Sequence, residues 1–246
     1  MRWKVSPIDF LRGYEEELFS RLQAKVENGE ITISREANEL IDPKEEQLQI
    51  HEKLFNFLTS ISLIHKKIRF SLIPTGLEIE SEGTRYLNAE VGIYCLSGME
   101  VDFILTKNDG QTVINSKKER LAKQQELFEL INNYGADQVA SKILDSYRYA
   151  LEHDEKILSY LYEILEALKN CFGNKKNAIQ KLNLSSKQWE GFGKLANDPR
   201  IRQGRHYSEI SVNSRDITDT ERDFALSFGQ TMIENYLKYL QQNKKK

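Results

Sequence analysis

The first third of the chain alternates between helix-like and strand-like patterns of apolar positions. Apolar residues recur at helical spacing over residues 8–29, which predicts an amphipathic helix that ends at its final glycine. Residues 31–34, with the sequence ITIS, predict a short strand. Asp42 before Pro43 predicts the start of a second helix, because proline fits the first helical position, where its missing N–H is not needed.

Farther along, the apolar positions change to a period of two. Residues 68–80 and 89–115 alternate between apolar and polar side chains, as strands with one buried face do. Pro74-Thr75-Gly76 and Asn108-Asp109-Gly110 predict turns between these strands. This pattern predicts a unit built around an antiparallel meander.

Helical periodicity takes over after about residue 116 and continues to the C-terminus. A stripe of apolar residues over 157–168 predicts a long amphipathic helix. Two short helices follow, the second capped by Ser185 or Ser186. The last helix opens with Thr218-x-x-Glu221, the spacing of a capping box.

The change of period divides the chain into two predicted domains of fold class α+β. Residues 1–115 form an N-terminal α+β domain with an antiparallel sheet, and residues 116–246 form an all-helical domain. The full length of 246 residues is sufficient for both domains to bury a core.

Composition narrows the class of protein. Hydrophobic residues make up 39% and charged residues 29%, as in a globular protein with a strongly charged surface. No apolar run approaches the roughly 20 residues that a bilayer span needs, and no apolar signal region follows Met1. The two cysteines form no CxxC pair. We therefore expect a cytoplasmic protein with no membrane association.

Positive charge is concentrated between residues 169 and 206, although the formal net charge of the chain is −2. This stretch contains nine cationic side chains, and Glu190 and Asp198 are its only acids; the nine are Lys169, Lys175, Lys176, Lys181, Lys187, Lys194, Arg200, Arg202 and Arg205. Such a patch attracts phosphate without sequence specificity. The alternative is a solvated, solubilising surface.

Familiar catalytic and cofactor motifs are missing from the sequence. There is no phosphate-binding glycine loop, no HExxH and no GxSxG. His51, His65 and His153 have no second histidine or cysteine at ligand spacing. Glu163 and Glu166 lie one helical turn apart and are expected to form the solvated edge of their helix; the alternative is an acid/base role, with one of them facing a cleft beside His206. We expect no metal site and no cofactor.

Residues 197–206, NDPRIRQGRH, are the strongest candidate for chemistry, and we call them the arginine segment. A guanidinium binds two phosphate oxygens at once and stabilises charge that builds up in phosphodiester cleavage. An imidazole such as that of His206 titrates near neutrality and can transfer a proton to or from a ribose or leaving oxygen. The alternative is a structural loop whose arginines pair with carbonyls or with acids such as Asp198 and Glu209.

The C-terminal half resembles the HEPN superfamily of helical domains, many of which occur in bacterial RNases and antiphage systems. The resemblance covers about residues 118–242 and rests on Arg200, five intervening residues and His206, before a closing helix. It implies that His206 acts as general acid and base, with Arg200 as its catalytic partner. Arg202 and Arg205 would bind the substrate phosphate, together with Lys194.

The resemblance implies an RNA-handling protein of a bacterial defence or toxin system. If it cleaves, it would be a metal-independent endoribonuclease that works as a homodimer, while the N-terminal domain binds a protein partner. Ile201 stands where catalytic members usually carry a polar residue. The alternative is therefore a non-catalytic module or scaffold that uses the arginine segment to bind nucleic acid or protein.

Overall fold

The chain contains two compact units, one of helices and antiparallel strands and one of helices, so its fold class is α+β. The structure, a computed structural model, describes residues 2–6, 24–27, 30–33, 43–65, 71–76, 104–106, 112–206 and 214–244. The first unit comprises residues 1–62 and 68–122, and the second comprises residues 63–67 and 123–246.

The first unit contains two antiparallel sheets. The larger consists of β1 (Arg2–Ser6), β2 (Ala24–Glu27), β3 (Glu30–Ile33) and β4 (Ser71–Gly76), in the order β2-β3-β1-β4. The smaller pairs β5 (Ile104–Thr106) with β6 (Thr112–Asn115). The predicted antiparallel pairing is confirmed. Most of the predicted meander, over residues 68–80 and 89–115, lies outside the described residues; in the larger sheet, β1 lies between β3 and β4, so the strand order does not follow the chain.

Two local predictions in this unit fail for identifiable reasons. Residues 24–27, the end of the predicted helix, form β2, where buried Ala24 precedes exposed Lys25 at a strand-like period of two. Residues 8–23 of that helix lie outside the described residues. The predicted turn at Pro74-Thr75-Gly76 is part of β4. Because β4 is an edge strand, its proline is tolerated there without a donor N–H.

Helix α1 (Pro43–His65) begins at the proline that the sequence indicates. Its buried residues recur at helical spacing and include Ile50, Leu54, Phe57 and Ile61. Among the described residues, no helix is both long and apolar enough to cross a membrane.

The second unit is made of helices, joined by short connections except between its last two. These helices are the C-terminal part of α2 (Ser116–Tyr134), α3 (Gln138–Glu152), α4 (Ile157–Cys171), α5 (Lys175–Lys181), α6 (Ser186–Ala196) and α7 (Asp219–Lys244), with a 3₁₀ turn at Asp154–Lys156. Helices α3, α4 and α7 pack against one another, and α5 and α6 pack on α4. The predicted stripe of α4 is buried in this core, as are Phe192 of α6 and Phe228 of α7.

Gly229 allows α7 to pack closely against α3 and α4. A Cβ added at Gly229 would lie 2.9 Å from Leu161 Cδ2 and 3.4 Å from the Tyr147 ring. The absent side chain therefore lets α7 approach α3 and α4.

The helix caps follow the sequence closely. Ser185, not Ser186, caps α6, since its Oγ accepts from the Gln188 N–H at 3.3 Å. The capping box is confirmed: Glu221 N–H donates to Thr218 Oγ1 at 3.2 Å, and Thr218 N–H donates to Glu221 Oε2 at 3.0 Å. These caps fix the N-termini of α6 and α7, the helices that precede and follow the arginine segment.

Candidate functional site

The arginine segment leaves the C-terminal end of α6 in a tight reversal. The Asn197 N–H donates to the Gly193 carbonyl at 3.2 Å, and the Arg205 N–H returns to the Ala196 carbonyl at 2.9 Å. A Cβ on Gly204 would press on three backbone carbonyl oxygens, the nearest being that of Ile201 at 3.0 Å. Glycine is therefore needed here because the backbone packs against itself.

Ile201 anchors the segment in the core of the second unit. Its side chain is fully buried. A parallel bridge to Arg215 holds its backbone: Arg202 N–H donates to the Arg215 carbonyl at 3.1 Å, and Arg215 N–H donates to the Arg200 carbonyl at 2.8 Å. Catalytic members of the HEPN superfamily, which the chain resembles, usually carry a polar residue at this position. In this chain the position holds a core residue.

Arg200 is bound within the segment by Asp198. Its Nε lies 3.0 Å from Asp198 Oδ1 and its Nη2 lies 2.7 Å from Oδ2, and its backbone N–H also donates to Oδ1. These bonds from Arg200 lower the pKa of the Asp198 carboxyl to about 2. The pairing that the sequence offered as the structural alternative is therefore present for this arginine.

Arg202 is bound by an acid from beyond the segment. Its Nη1 donates to Asp216 Oδ2 at 2.8 Å, and Gln203 Nε2 donates to Asp216 Oδ1 at 3.0 Å. Gln203 Oε1 also accepts from the Ile217 N–H at 3.0 Å. Asp216 thus joins two side chains of the segment to the strand-like stretch that leads into α7.

Two further arginine–carboxylate pairs support the same region, and sequence inspection did not identify them. Arg215 donates from Nη1 and Nη2 to the two oxygens of Glu221, each at 2.7 Å, which lowers the pKa of Glu221 to about 2. Arg222 on α7 binds both oxygens of Asp154 in the 3₁₀ turn. The sequence shows only that opposite charges are available, because the partners are separated by six and 68 residues.

Arg205 differs from the other arginines of the segment. Its guanidinium carbon lies 4.0 Å from the centroid of the Tyr162 ring, and its Nη1 is 3.4 Å from the side-chain oxygen of Asn197. Over the described part of the chain, Arg205 forms no ion pair with a carboxylate. The stacking orients the guanidinium through its face, and its edges remain without a carboxylate from any residue that the structure describes.

The remaining predicted site residues, His206 and Lys194, are both exposed. His206 directly follows Arg205 at the end of the segment. Lys194 lies in the last turn of α6. The structure thus places the four predicted residues of the segment in one reversal between α6 and α7, with Lys194 on the adjoining helix.

The other sequence candidates are surface residues with local partners. Ser146 Oγ donates to Glu163 at 3.1 Å, and Glu166 pairs with Lys169 at 3.2 Å, so the predicted solvated edge of α4 is confirmed. His153 Nδ1 lies 3.5 Å from Glu155 Oε1 on an exposed turn. No group of three or more potential ligands that could hold a metal occurs among the residues that the structure describes. Glu209 lies outside them.

No protein-family model, no curated protein and no solved structure matches the chain.

Proposed function

We propose that the protein binds RNA through its helical unit, with Arg205 and His206 as contacts for phosphate. The observation that carries the proposal is the guanidinium of Arg205, held over the Tyr162 ring beside an exposed imidazole and without a carboxylate among its described partners. A guanidinium in a fixed position loses little freedom when it binds a phosphate oxygen. RNA, rather than another anion, is proposed because of the HEPN resemblance.

The surrounding contacts favour a binding role for the segment. Arg200 and Arg202 are bound to Asp198 and Asp216, so these two guanidiniums stabilise the loop. The buried Ile201 and its bridge to Arg215 keep the reversal in one conformation. A rigid segment of this kind presents Arg205 and His206 to a ligand without rearrangement.

The matched pair Arg205→Gln and Arg202→Gln tests this role. Both substitutions remove one positive charge from the same segment. Arg205→Gln should weaken binding of a fluorescein-labelled single-stranded RNA roughly tenfold, since a hydrogen bond to a charged group contributes about 1.5 kcal/mol or more. Arg202→Gln should change the dissociation constant by less than about twofold, because Asp216 already neutralises Arg202. Equal effects would contradict the proposal.

The second candidate is the metal-independent endoribonuclease, with His206 as general acid and base and Arg200 as its partner. It is favoured by one observation: the reversal fixes both residues on the surface of a single short loop. Cleavage would require Arg200 to exchange Asp198 for the scissile phosphate. In the resembling family the cleft is composed from two copies, so this candidate also includes a homodimer, with the N-terminal unit binding a protein partner.

Cleavage of one labelled RNA by wild type and His206→Ala separates the two candidates. A nuclease should lose about 10²-fold or more of its rate with His206→Ala, keep its RNA affinity and ignore EDTA. The binding protein should leave the RNA intact while retaining it in a complex. Cleavage that persists in His206→Ala would remove His206 from any catalytic role.

A further inference from the structure

A large excess of positive charge in the second unit lies on α5 and α6. Residues 170–196 contain five lysines and one acid, Glu190; the lysines are Lys175, Lys176, Lys181, Lys187 and Lys194. This gives a local net charge of +4 in a chain of net charge −2. Such a field attracts a polyanion.

We call four of these lysines the lysine face: Lys175 and Lys176 at the start of α5, and Lys187 and Lys194 on α6. Lys175 Nζ binds Glu190 of α6 at 2.8 Å, which places the start of α5 beside α6. Lys175, Lys176 and Ser186 line a surface depression of about 420 Å³, together with Ile179 and Gln180. Lys187 and Lys194 are seven residues apart on α6, so they point in nearly the same direction.

The charge of this face is largely uncompensated. Among the described residues, Lys176, Lys187 and Lys194 form no ion pair with an acid. Lys194 contributes to the lowered pKa of Glu190, after the hydrogen bond and charge of Lys175, without contacting that carboxylate as an ion pair. Around the arginine segment, in contrast, four of five arginines have a carboxylate partner.

We propose that the lysine face is the docking surface for the phosphate backbone of RNA. The inference rests on the proposed function and extends it: the lysines provide most of the sequence-independent attraction, and Arg205 and His206 add contacts beyond the end of α6. Ammonium groups bind phosphates as point charges and release condensed counterions, so the affinity should depend steeply on salt. Lys175 and Lys176 both line the depression; Lys175 and Ser186 also bind Glu190, so a phosphate there would compete with this carboxylate.

An RNA backbone fits this surface better than an anionic membrane. Membrane-binding helices add large apolar side chains that enter the interface between headgroups and acyl chains. The exposed large apolar residues of the described chain are Leu48 and Tyr149, which lie on α1 and α3. The lysine face therefore provides charge without an apolar anchor.

The test compares two triple variants of the full chain that change net charge equally. The first variant carries Lys176→Gln, Lys187→Gln and Lys194→Gln, which remove the three lysines of the face that form no ion pair among the described residues. The control carries Lys117→Gln, Lys142→Gln and Lys156→Gln, three exposed lysines elsewhere. Circular dichroism is used to check that both variants remain folded. A labelled single-stranded RNA and vesicles containing phosphatidylserine are titrated at several salt concentrations.

We expect the lysine-face variant to lose about tenfold or more in RNA affinity at low salt. The slope of log K against log salt should fall by about 2, since each phosphate contact on a single strand contributes about 0.7. The control should stay within about threefold of wild type. RNA binding equal to that of the control, or a specific loss of vesicle binding alone, would overturn this inference. Wild-type protein that binds no RNA would overturn the proposed function as well.

Discussion

Both carboxylate oxygens of Asp198 accept hydrogen bonds from the guanidinium of Arg200, at 3.0 Å from Nε and 2.7 Å from Nη2. The two residues belong to the arginine segment, which suggested an anion site. Because the positive charge of Arg200 is already matched, the number of arginines overstates the attraction of this segment for phosphate. Within the described part of the chain, the arginine of the segment without a carboxylate partner is Arg205, and further unpaired charge lies on the lysine face.

Removing the negative charge of Asp198 should therefore strengthen RNA binding. Asp198→Asn keeps a side-chain oxygen for the Arg200 backbone N–H but leaves the guanidinium without a carboxylate. We expect about a threefold gain in affinity at low salt and a steeper salt dependence, since one more cation can contact phosphate. Fluorescence anisotropy measures both, with Glu155→Gln as a control of equal charge change. A gain no larger than that of the control would show that Arg200 does not reach the RNA.

Acid should weaken the second unit through its arginine-bound carboxyls. The folded-state pKa of Glu221 is about 2, held down first by the hydrogen bonds from Arg215, and its ordinary value is 4.5. A lowered carboxyl pKa stabilises the fold above the ordinary value, and this stabilisation disappears as the pH falls from about 4.5 towards 2. Asp198 behaves in the same way from its ordinary value of 3.8.

Urea unfolding at pH 7 and pH 3 measures this contribution. Glu221→Gln should lower the free energy of unfolding at pH 7 by about 1 kcal/mol, a value reduced for solvent screening because both side chains are partly exposed. At pH 3 the difference between variant and wild type should shrink. A difference that is unchanged between the two pH values would contradict the assigned pairing.

The core position of Ile201 predicts a large effect on stability from a residue inside a polar loop. Ile201→Ala should lower the free energy of unfolding by about 2–4 kcal/mol, because it removes buried methyl groups and leaves a cavity. Arg202→Ala next to it should change the free energy by about 1 kcal/mol or less, since its ion pair is exposed. Thermal or urea unfolding followed by circular dichroism measures both. A small effect of Ile201→Ala would show that the segment is not anchored in the core.

Much of the helical unit follows from the sequence because its signals are local. The cap at Ser185, the box of Thr218 and Glu221, and the apolar stripe of α4 each depend on residues within a few turns. The larger sheet was harder to predict from the sequence, because β1 pairs with residues about 70 positions away. In addition, residues 24–27, at the end of a helix-like pattern, form β2. The candidate residues were visible by type, and of the observed partners of Arg200, Arg202 and Arg205 only Asp198 was named from the sequence.

Beyond the pair of Arg200 with Asp198, the partners of the arginines could not be predicted from sequence spacing. Arg202 meets Asp216, 14 residues later, only because the buried Ile201 draws the backbone beside Arg215. The same fold leaves Arg205 over Tyr162, a residue of another helix. Which cation is matched and which is available for a ligand is therefore a property of the tertiary structure.

The central claim is that this protein binds RNA by charge, and a salt series on the wild-type chain tests it most directly. Anisotropy of a labelled single-stranded RNA should show micromolar or tighter binding at 50 mM salt. Log K should fall linearly with log salt, with a slope of about −3 for four or five phosphate contacts. No binding at 50 mM salt, or an affinity that does not change up to 300 mM, would contradict the account.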